Sequence, residues 1–143
     1  MVLVLEDNPD RLQRFIAALR SMDPTWEIRS WRSARQMLRE VEPYLPVARL
    51  LSLDHDLEPW VGDVEDPGDG LEVVKFLVAR VQVCPVIIHT SNRQRSDWMA
   101  GEFELAGWKY HRVAPLGEDW IEEHWAPVAR KLLQKSGLNR RST

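Results

Sequence analysis

A short apolar run that ends in charged residues constrains the fold of this chain most strongly. Residues 50–53 (Leu-Leu-Ser-Leu) lead directly into Asp54, His55 and Asp56. An apolar run this short, bounded by charge, is typical of a strand buried on both faces of a parallel sheet. In open parallel sheets the ligand crevice lies beyond the carboxyl ends of the strands. Two further apolar runs, at 1–5 and 86–88, also end in polar residues, so three strand ends predict one convergent site.

Strand and helix patterns alternate five times along the chain, which is typical of a parallel sheet covered by helices on both faces. Right-handed crossovers leave few topologies. We therefore predict a single α/β, doubly wound domain with a five-stranded parallel sheet in the flavodoxin-like order 2-1-3-4-5. The predicted strands cover residues 1–5, 26–31, 50–53, 86–88 and 108–113, and the helices begin near residues 9, 33, 69, 97 and 119.

Details at the end of the chain add two expectations. Pro127 interrupts the last helical pattern and should kink or split that helix, because proline lacks an N–H and its ring clashes with the preceding turn. We place the domain at residues 1–138 and expect a flexible tail at 139–143.

Composition limits the classes of function. A length of 143 residues suits one domain, and a net charge of −3 gives no reason to expect broad adhesion to nucleic acid or acidic membranes. The single cysteine, Cys84, excludes an internal disulfide framework and fits a reducing compartment. No apolar run is long enough to span a bilayer. We therefore expect a soluble, cytoplasmic protein without a membrane partner.

The polar residues at the strand ends resemble those of a known family. The acidic pair Glu6-Asp7 and the later Asp54 resemble the response-regulator receiver domain, in which such acids hold Mg²⁺ and the later Asp is phosphorylated. A more specific resemblance is to the cyclic-phosphate-processing receiver domain. It is carried by Ser-Leu-Asp-His-Asp-Leu at 52–57, by Asp-Gly at 69–70 and by His-Thr-Ser-Asn at 89–92. The resemblance covers residues 1 to about 92, and the remainder follows from topology alone.

One position departs from the ordinary receiver pattern. Ordinary receivers carry a Lys before a Pro at the end of the fifth strand, where it pairs with the acyl phosphate, and Ala114 stands there in this chain. This departure argues against the usual phosphoryl-aspartate chemistry, unless Lys109 or Arg112 supplies the missing cation.

The crowded acids predict a cation site. Neighbouring carboxylates repel and raise each other's pKa unless a cation lies among them, and their oxygen atoms suit Mg²⁺ or Mn²⁺. The candidate ligands are Glu6, Asp7, Asp54 and Asp56. The receiver resemblance implies that Asp7 and Asp54 bind directly, Glu6 through water and Asp56 through its main-chain carbonyl.

Two histidines and one polar strand end add groups for proton transfer and phosphate binding. An imidazole with an unperturbed pKa of about 6.5 can move protons at cellular pH, although it can instead bind a softer metal. We assign catalytic roles to Asp54, His55 and His89. The candidate phosphate-binding residues are Thr90, Ser91 and Asn92.

The family resemblance therefore implies a metal-dependent phosphoesterase. Its substrate would be a phosphate ester, such as the cyclic phosphate of a nucleotide or of an RNA end. The alternative is a non-enzymatic signalling receiver, phosphorylated at Asp54 or degenerate, that binds partner proteins. Residues 58–69 are long for a loop and carry Trp60, so they are either a lid over the site or a solvated acidic turn.

Overall fold

The strands form one parallel sheet at the centre of the molecule. The computed structural model describes residues 1–141, with side chains described to residue 135. The five strands stand in the order β2-β1-β3-β4-β5, which confirms the predicted fold class. Their bounds are β1 (Val2–Leu5), β2 (Ile28–Trp31), β3 (Leu50–Leu53), β4 (Val86–Ile88) and β5 (His111–Arg112).

Five α-helices connect and follow the strands. Their bounds are α1 (Pro9–Met22), α2 (Ala34–Glu40), α3 (Gly70–Val78), α4 (Arg93–Leu105) and α5 (Ala126–Arg141). A 3₁₀ helix (Glu42–Val47) follows α2, and a π-helical segment (Ile121–Trp125) precedes α5. No helix in the described part of the chain is both long and apolar enough to cross a bilayer. Residues 142 and 143 of the predicted tail lie outside the described residues, so the boundary at 138 stays a prediction.

Three element bounds differ from the prediction. The fourth helix begins at Arg93 and not near Asp97, because the Asn92 side chain accepts a hydrogen bond from the Arg95 amide and caps the helix earlier. The second and fifth strands are shorter than predicted, at Ile28–Trp31 and His111–Arg112. Both lie at the edges of the sheet, where only one neighbour supplies ladder hydrogen bonds.

The helix does not split at Pro127, because α5 (Ala126–Arg141) continues through it. A π-helical segment ends at Trp125, two residues before Pro127, and the Ala126 amide donates to the Ile121 carbonyl in an i to i+5 bond. The wider turn relieves the clash between the proline ring and the preceding turn.

Both faces of the sheet are buried, and this places a polar residue inside the core. Alternate residues of β3 point to opposite faces. Leu51 and Leu53 pack with α2, α3 and α4, whereas Leu50 packs with α1 and α5. Ser52 shares the side of Leu50 and is fully buried.

The start of α3 lies directly against the end of β3. The Gly70 amide donates to the His55 carbonyl at 3.0 Å. A Cβ atom at Gly70 would lie 2.0 Å from the Asp54 carbonyl oxygen and 2.9 Å from the His55 Cα. Only glycine fits, since the atoms in the way belong to the backbone.

We expect Gly70→Ala to destabilise the fold by about 1–3 kcal/mol, because α3 must move away from β3. Urea denaturation followed by circular dichroism measures this change. Gly101→Ala is the matched control: Gly101 is inside α4 with no atom within 4 Å of an added Cβ. This control should be stabilised by about 0.5–1 kcal/mol. Equal stability changes in the two variants would contradict the close contact.

Candidate metal centre

Three strand ends bring two carboxylates and an imidazole together. Leu5, Leu53 and Ile88 are in register across β1, β3 and β4, so Glu6, Asp54 and His89 follow at the same level. All three are buried, with Glu6 at 1%, Asp54 at 5% and His89 at 2% relative exposure. One ligand atom from each lies within 4.8 Å of the other two, which is a spacing that can hold a metal ion.

Arg11 supplies the positive charge that faces these acids. Its Nη2 lies 3.0 Å from Glu6 Oε2, 3.6 Å from Asp7 Oδ1 and 3.7 Å from Asp54 Oδ2. Asn8 caps α1 by accepting from the Arg11 amide, and this starts the helix so that Arg11 faces the acids. The sequence pattern did not single out Arg11, although its i, i+4 spacing from Asp7 was a usable signal.

A buried chain of side chains fixes the His89 ring. Trp125 Nε1 donates to Ser52 Oγ at 2.9 Å, and Ser52 Oγ lies 2.6 Å from His89 Nδ1. The Ser52 hydroxyl has two lone pairs, so it can accept from the Trp125 indole and from His89 Nδ1–H together, or it can donate to Nδ1. His89 Nε2 lies 3.3 Å from Glu6 Oε1. A proton on Nδ1 leaves the Nε2 lone pair for a cation, whereas a proton on Nε2 faces Glu6. Neither Ser52 nor Trp125 was predicted as part of the site.

Several buried polar atoms of this cluster have no hydrogen-bond partner. They are Glu6 Oε1, Asp7 Oδ1 and His89 Nε2. Leaving such an atom unsatisfied costs about 1–3 kcal/mol, so each one calls for an explanation. All three atoms are of types that bind divalent cations, and the cluster therefore fits a metal.

The pKa values of the three neighbouring acids shift in different directions. Burial and the neighbouring Glu6 charge raise the pKa of Asp54 to about 8. Burial also acts to raise the pKa of Glu6, but the His89 ring and the Arg11 guanidinium outweigh it and bring that pKa to about 2. Burial raises the pKa of Asp7, opposed by the hydrogen bond from the Glu58 amide. At neutral pH without a metal, Asp54 therefore holds a proton.

His55 and Asp56 lie apart from the three clustered ligand atoms. The His55 amide donates to Asp54 Oδ1 at 2.7 Å and holds that carboxylate in place. The His55 ring is buried, its Nδ1 lies 2.9 Å from Asp56 Oδ1, and its Nε2 has no hydrogen-bond partner. The Asp56 carboxylate is half-exposed and lies 3.5 Å from both Arg95 Nε and Asn92 Nδ2.

The predicted phosphate-binding residues lie directly before α4, and the last of them, Asn92, is its N-cap. Thr90 is buried, and its Oγ1 accepts weakly from the Asn92 amide at 3.3 Å. Asn92 uses its side-chain oxygen to cap the helix, which leaves its Nδ2 for other contacts. Ser91 is exposed at the start of this segment.

The 58–69 loop is fastened to the acidic site. The Glu58 amide donates to Asp7 Oδ2 at 2.6 Å, and Trp60 Nε1 donates to the Asp7 carbonyl at 2.9 Å. Salt bridges from Arg32 to Asp63 and from Arg39 to Glu65 hold the rest of the loop near α2. The loop is therefore a strap over Asp7. It differs from a solvated turn because two hydrogen bonds fix it to the acid.

Two cavities border this region and differ in charge. The first, of about 500 Å³, is lined by two arginines and five acids: Arg35, Arg95, Asp56, Glu58, Asp66, Asp69 and Glu72. The second, of about 350 Å³, shares Glu6 and Asp7 with the acid cluster. The first cavity is the larger of the two and has an excess of acids, and the predicted phosphate contact Asn92 also lies in its lining.

Comparison with protein families identifies the family of this chain. The model of the cyclic-phosphate processing receiver domain matches residues 1–104. The chain belongs to this family. The family match confirms the resemblance seen in the strand-end residues of this receiver domain. No curated protein sequence matches the chain.

Solved structures show the same fold. The response regulator receiver domain from Rhodospirillum rubrum aligns with a TM-score of 0.64 at 17% identity, over 94% of this chain and 92% of that one. The signal receiver domain of a Luxo repressor protein from Vibrio parahaemolyticus aligns with a TM-score of 0.65 at 17% identity, over 99% and 95%. The Mn²⁺-bound form of response regulator Rcp1 aligns with a TM-score of 0.55 at 17% identity, over 87% and 93%.

Neither suggested replacement for the receiver lysine contacts the acids. Arg112 pairs with Asp97 of α4 at 2.5 Å, and Lys109 is exposed, with main-chain hydrogen bonds to Gln82. Among the described residues, the cation that contacts Asp54 is Arg11. The alternative in which Lys109 or Arg112 supplies this charge is therefore not what the structure shows, because the guanidinium near Asp54 comes from α1.

The raised pKa of Asp54 makes metal-free stability depend on pH. The folded state keeps a proton on Asp54 that the unfolded chain loses at its ordinary pKa, so stability falls as pH rises from about 4 to about 8. Asp54→Asn imitates the protonated acid. We expect this variant to gain on the order of 2 kcal/mol over the wild type near pH 8, and much less near pH 4.

Urea denaturation in chelator at several pH values measures this gain. Asp56→Asn is the control, because its half-exposed carboxylate lies outside the cluster. A gain for Asp54→Asn that stays constant with pH would show that Asp54 is already ionised.

Proposed function

We propose that this receiver domain binds a divalent cation at Glu6, Asp54 and His89 and opens a cyclic phosphate ester of a nucleotide or of an RNA end. The observation that carries the proposal is the convergence of three buried ligand atoms within 4.8 Å. Asp7 would complete the set through Oδ1, which has no hydrogen-bond partner. The Asp56 carboxylate is left for another role, although its main-chain carbonyl remains a candidate ligand.

The donor set favours Mn²⁺ over Mg²⁺. Carboxylate oxygens suit both ions, whereas Mg²⁺ is bound mainly by oxygen ligands and imidazole suits transition metals better. The response regulator Rcp1, which shares the fold, has been solved with Mn²⁺ bound. When bound, the ion would neutralise charge on the phosphoryl oxygens.

The protein's own groups would do the remaining work. Arg11 supplies a second positive charge at the edge of the cluster, where its side chain is 33% exposed. The Asp56–His55 contact favours a proton on Nδ1 and leaves a lone pair on Nε2, as in an oriented general base. We assign proton transfer to His55, and His89 serves as the ligand that Ser52 and Trp125 hold in place. Thr90, Ser91 and Asn92 remain the proposed phosphate contacts.

Mn²⁺ affinity should depend on pH and on the three clustered residues. Binding displaces the proton of Asp54, so the affinity should rise with pH, by up to about tenfold per unit, until about pH 8. Glu6→Gln and His89→Ala should each weaken Mn²⁺ binding by about 10- to 100-fold. Isothermal titration calorimetry measures both effects.

Asp56→Asn is the matched acid-to-amide control, since it keeps the main-chain carbonyl. Its affinity should stay within about twofold of the wild type. Affinities that are the same for all variants would place the ion elsewhere.

Turnover of a 2′,3′-cyclic nucleotide with Mn²⁺ tests the chemistry. We expect conversion to a linear phosphate monoester, reduced by about 10²–10⁴-fold in His55→Ala because the proton-transfer group is lost. Chromatography of the products measures the rate.

The signalling alternative predicts a different result. Incubation with acetyl phosphate and Mg²⁺ would then leave a stable acyl phosphate on Asp54, seen as a mass increase that Asp54→Asn lacks. That outcome without any turnover would overturn the enzyme proposal.

A further inference from the structure

We propose that the 350 Å³ cavity beside Glu6 and Asp7 is a binding site for the nucleobase of the substrate. This inference rests on the proposed function, since the phosphate of the same molecule would lie at the acid cluster. The cavity volume is at the lower end of known ligand sites, which run from about 300 to 1,000 Å³.

The cavity opens onto the groups that need a ligand. Glu6 and Asp7 form part of its lining, and each is more than nine-tenths buried. Each also has one carboxylate oxygen without a hydrogen-bond partner. A molecule in the cavity therefore lies against two of the acids proposed to hold the cation.

Trp60 provides a fixed flat surface in the lining of this cavity. Its ring is 44% exposed although its Nε1 is bonded to the Asp7 carbonyl and its amide to Asp63. The Arg32 guanidinium lies 4.3 Å from the ring centroid and is itself held by two hydrogen bonds to Asp63. An exposed indole that is held so firmly is preorganised for stacking, and bases stack well on such rings.

Uncharged polar groups also line the cavity. They belong to Gln13, Ser30 and Gln36, from α1, β2 and α2. Among the described residues, none of these side chains has a hydrogen-bond partner. Amide and hydroxyl groups offer both donors and acceptors, which is what the edge of a base requires.

The charges also favour a base over other occupants. Apart from Glu6 and Asp7, the charged residue in the lining is Arg32, and Asp63 neutralises it. An uncharged planar group is therefore accepted here.

Equilibrium binding in the presence of Mn²⁺ tests the inference. The probes are adenosine 3′-monophosphate, which has no cyclic ester to open, and inorganic phosphate. We expect the nucleotide to bind at least about tenfold more tightly than phosphate. Trp60→Ala should remove this difference and leave phosphate affinity within about twofold of the wild type.

Two further variants separate stacking from loop attachment. Trp60→Phe keeps an aromatic ring but loses the hydrogen bond to Asp7, so it should retain most of the nucleotide preference. Trp98→Ala is the control, because Trp98 is 46% exposed on α4 and is not part of the cavity lining. Nuclear magnetic resonance should also show shifts of the Gln13 and Gln36 side-chain amides with the nucleotide and not with phosphate.

The possible results distinguish this inference from the proposed function. Equal affinity for nucleotide and phosphate would overturn the base site and leave the phosphate site standing. A preference that survives in Trp60→Ala, or that is lost in Trp60→Phe and Trp60→Ala alike, would also overturn the stacking role. Failure of both probes to bind with Mn²⁺ would overturn the proposed function and the base site together.

Discussion

Repulsion among buried acids is the constraint on which this structure depends. Parallel pairing of β1 with β3 forces Glu6 and Asp54 to the same level, and Asp7 follows directly. Three carboxylates removed from water cannot all stay charged without compensation. In this structure the negative charge is reduced by the Arg11 guanidinium from α1 and by a proton on Asp54. A bound cation would compensate the same charge in place of that proton.

The sheet and the strand-end acids could be predicted because both follow from local patterns. Apolar runs that stop at charged residues identify buried parallel strands, and their carboxyl ends meet at one edge of the sheet. The contacts that complete the site could not be predicted, because they join residues far apart in the sequence. Ser52 has the pattern of an ordinary strand residue, and its hydrogen bond to Trp125 joins positions 73 residues apart. Asn and Asp both cap helices well, so the pattern placed the fourth helix near Asp97, and only the folded chain shows that Asn92 accepts from the Arg95 amide.

Membership of the receiver family does not bring every receiver feature to this chain. Ala114 is exposed where ordinary receivers carry a lysine, and the guanidinium that reaches Asp54 comes from the first helix. The positive charge therefore stands on the side of β1, next to the strap that covers Asp7. One cavity beside the acids lies on the side of α1 and α2, whereas the acids that line the other come from the end of β3, the 58–69 loop and α3.

The π-helical segment before α5 links the winding of a helix to the position of the His89 imidazole, through Trp125 and Ser52. With ordinary α-helical winding, one residue turns a side chain by about 100° around the axis. Tightening of residues 121–125 to that winding would carry the Trp125 indole away from Ser52. The Ser52 hydroxyl would then lose the donor that orients it, and the His89 ring would lose part of its support. The backbone geometry of the last helix therefore helps to position the imidazole that faces the buried acids.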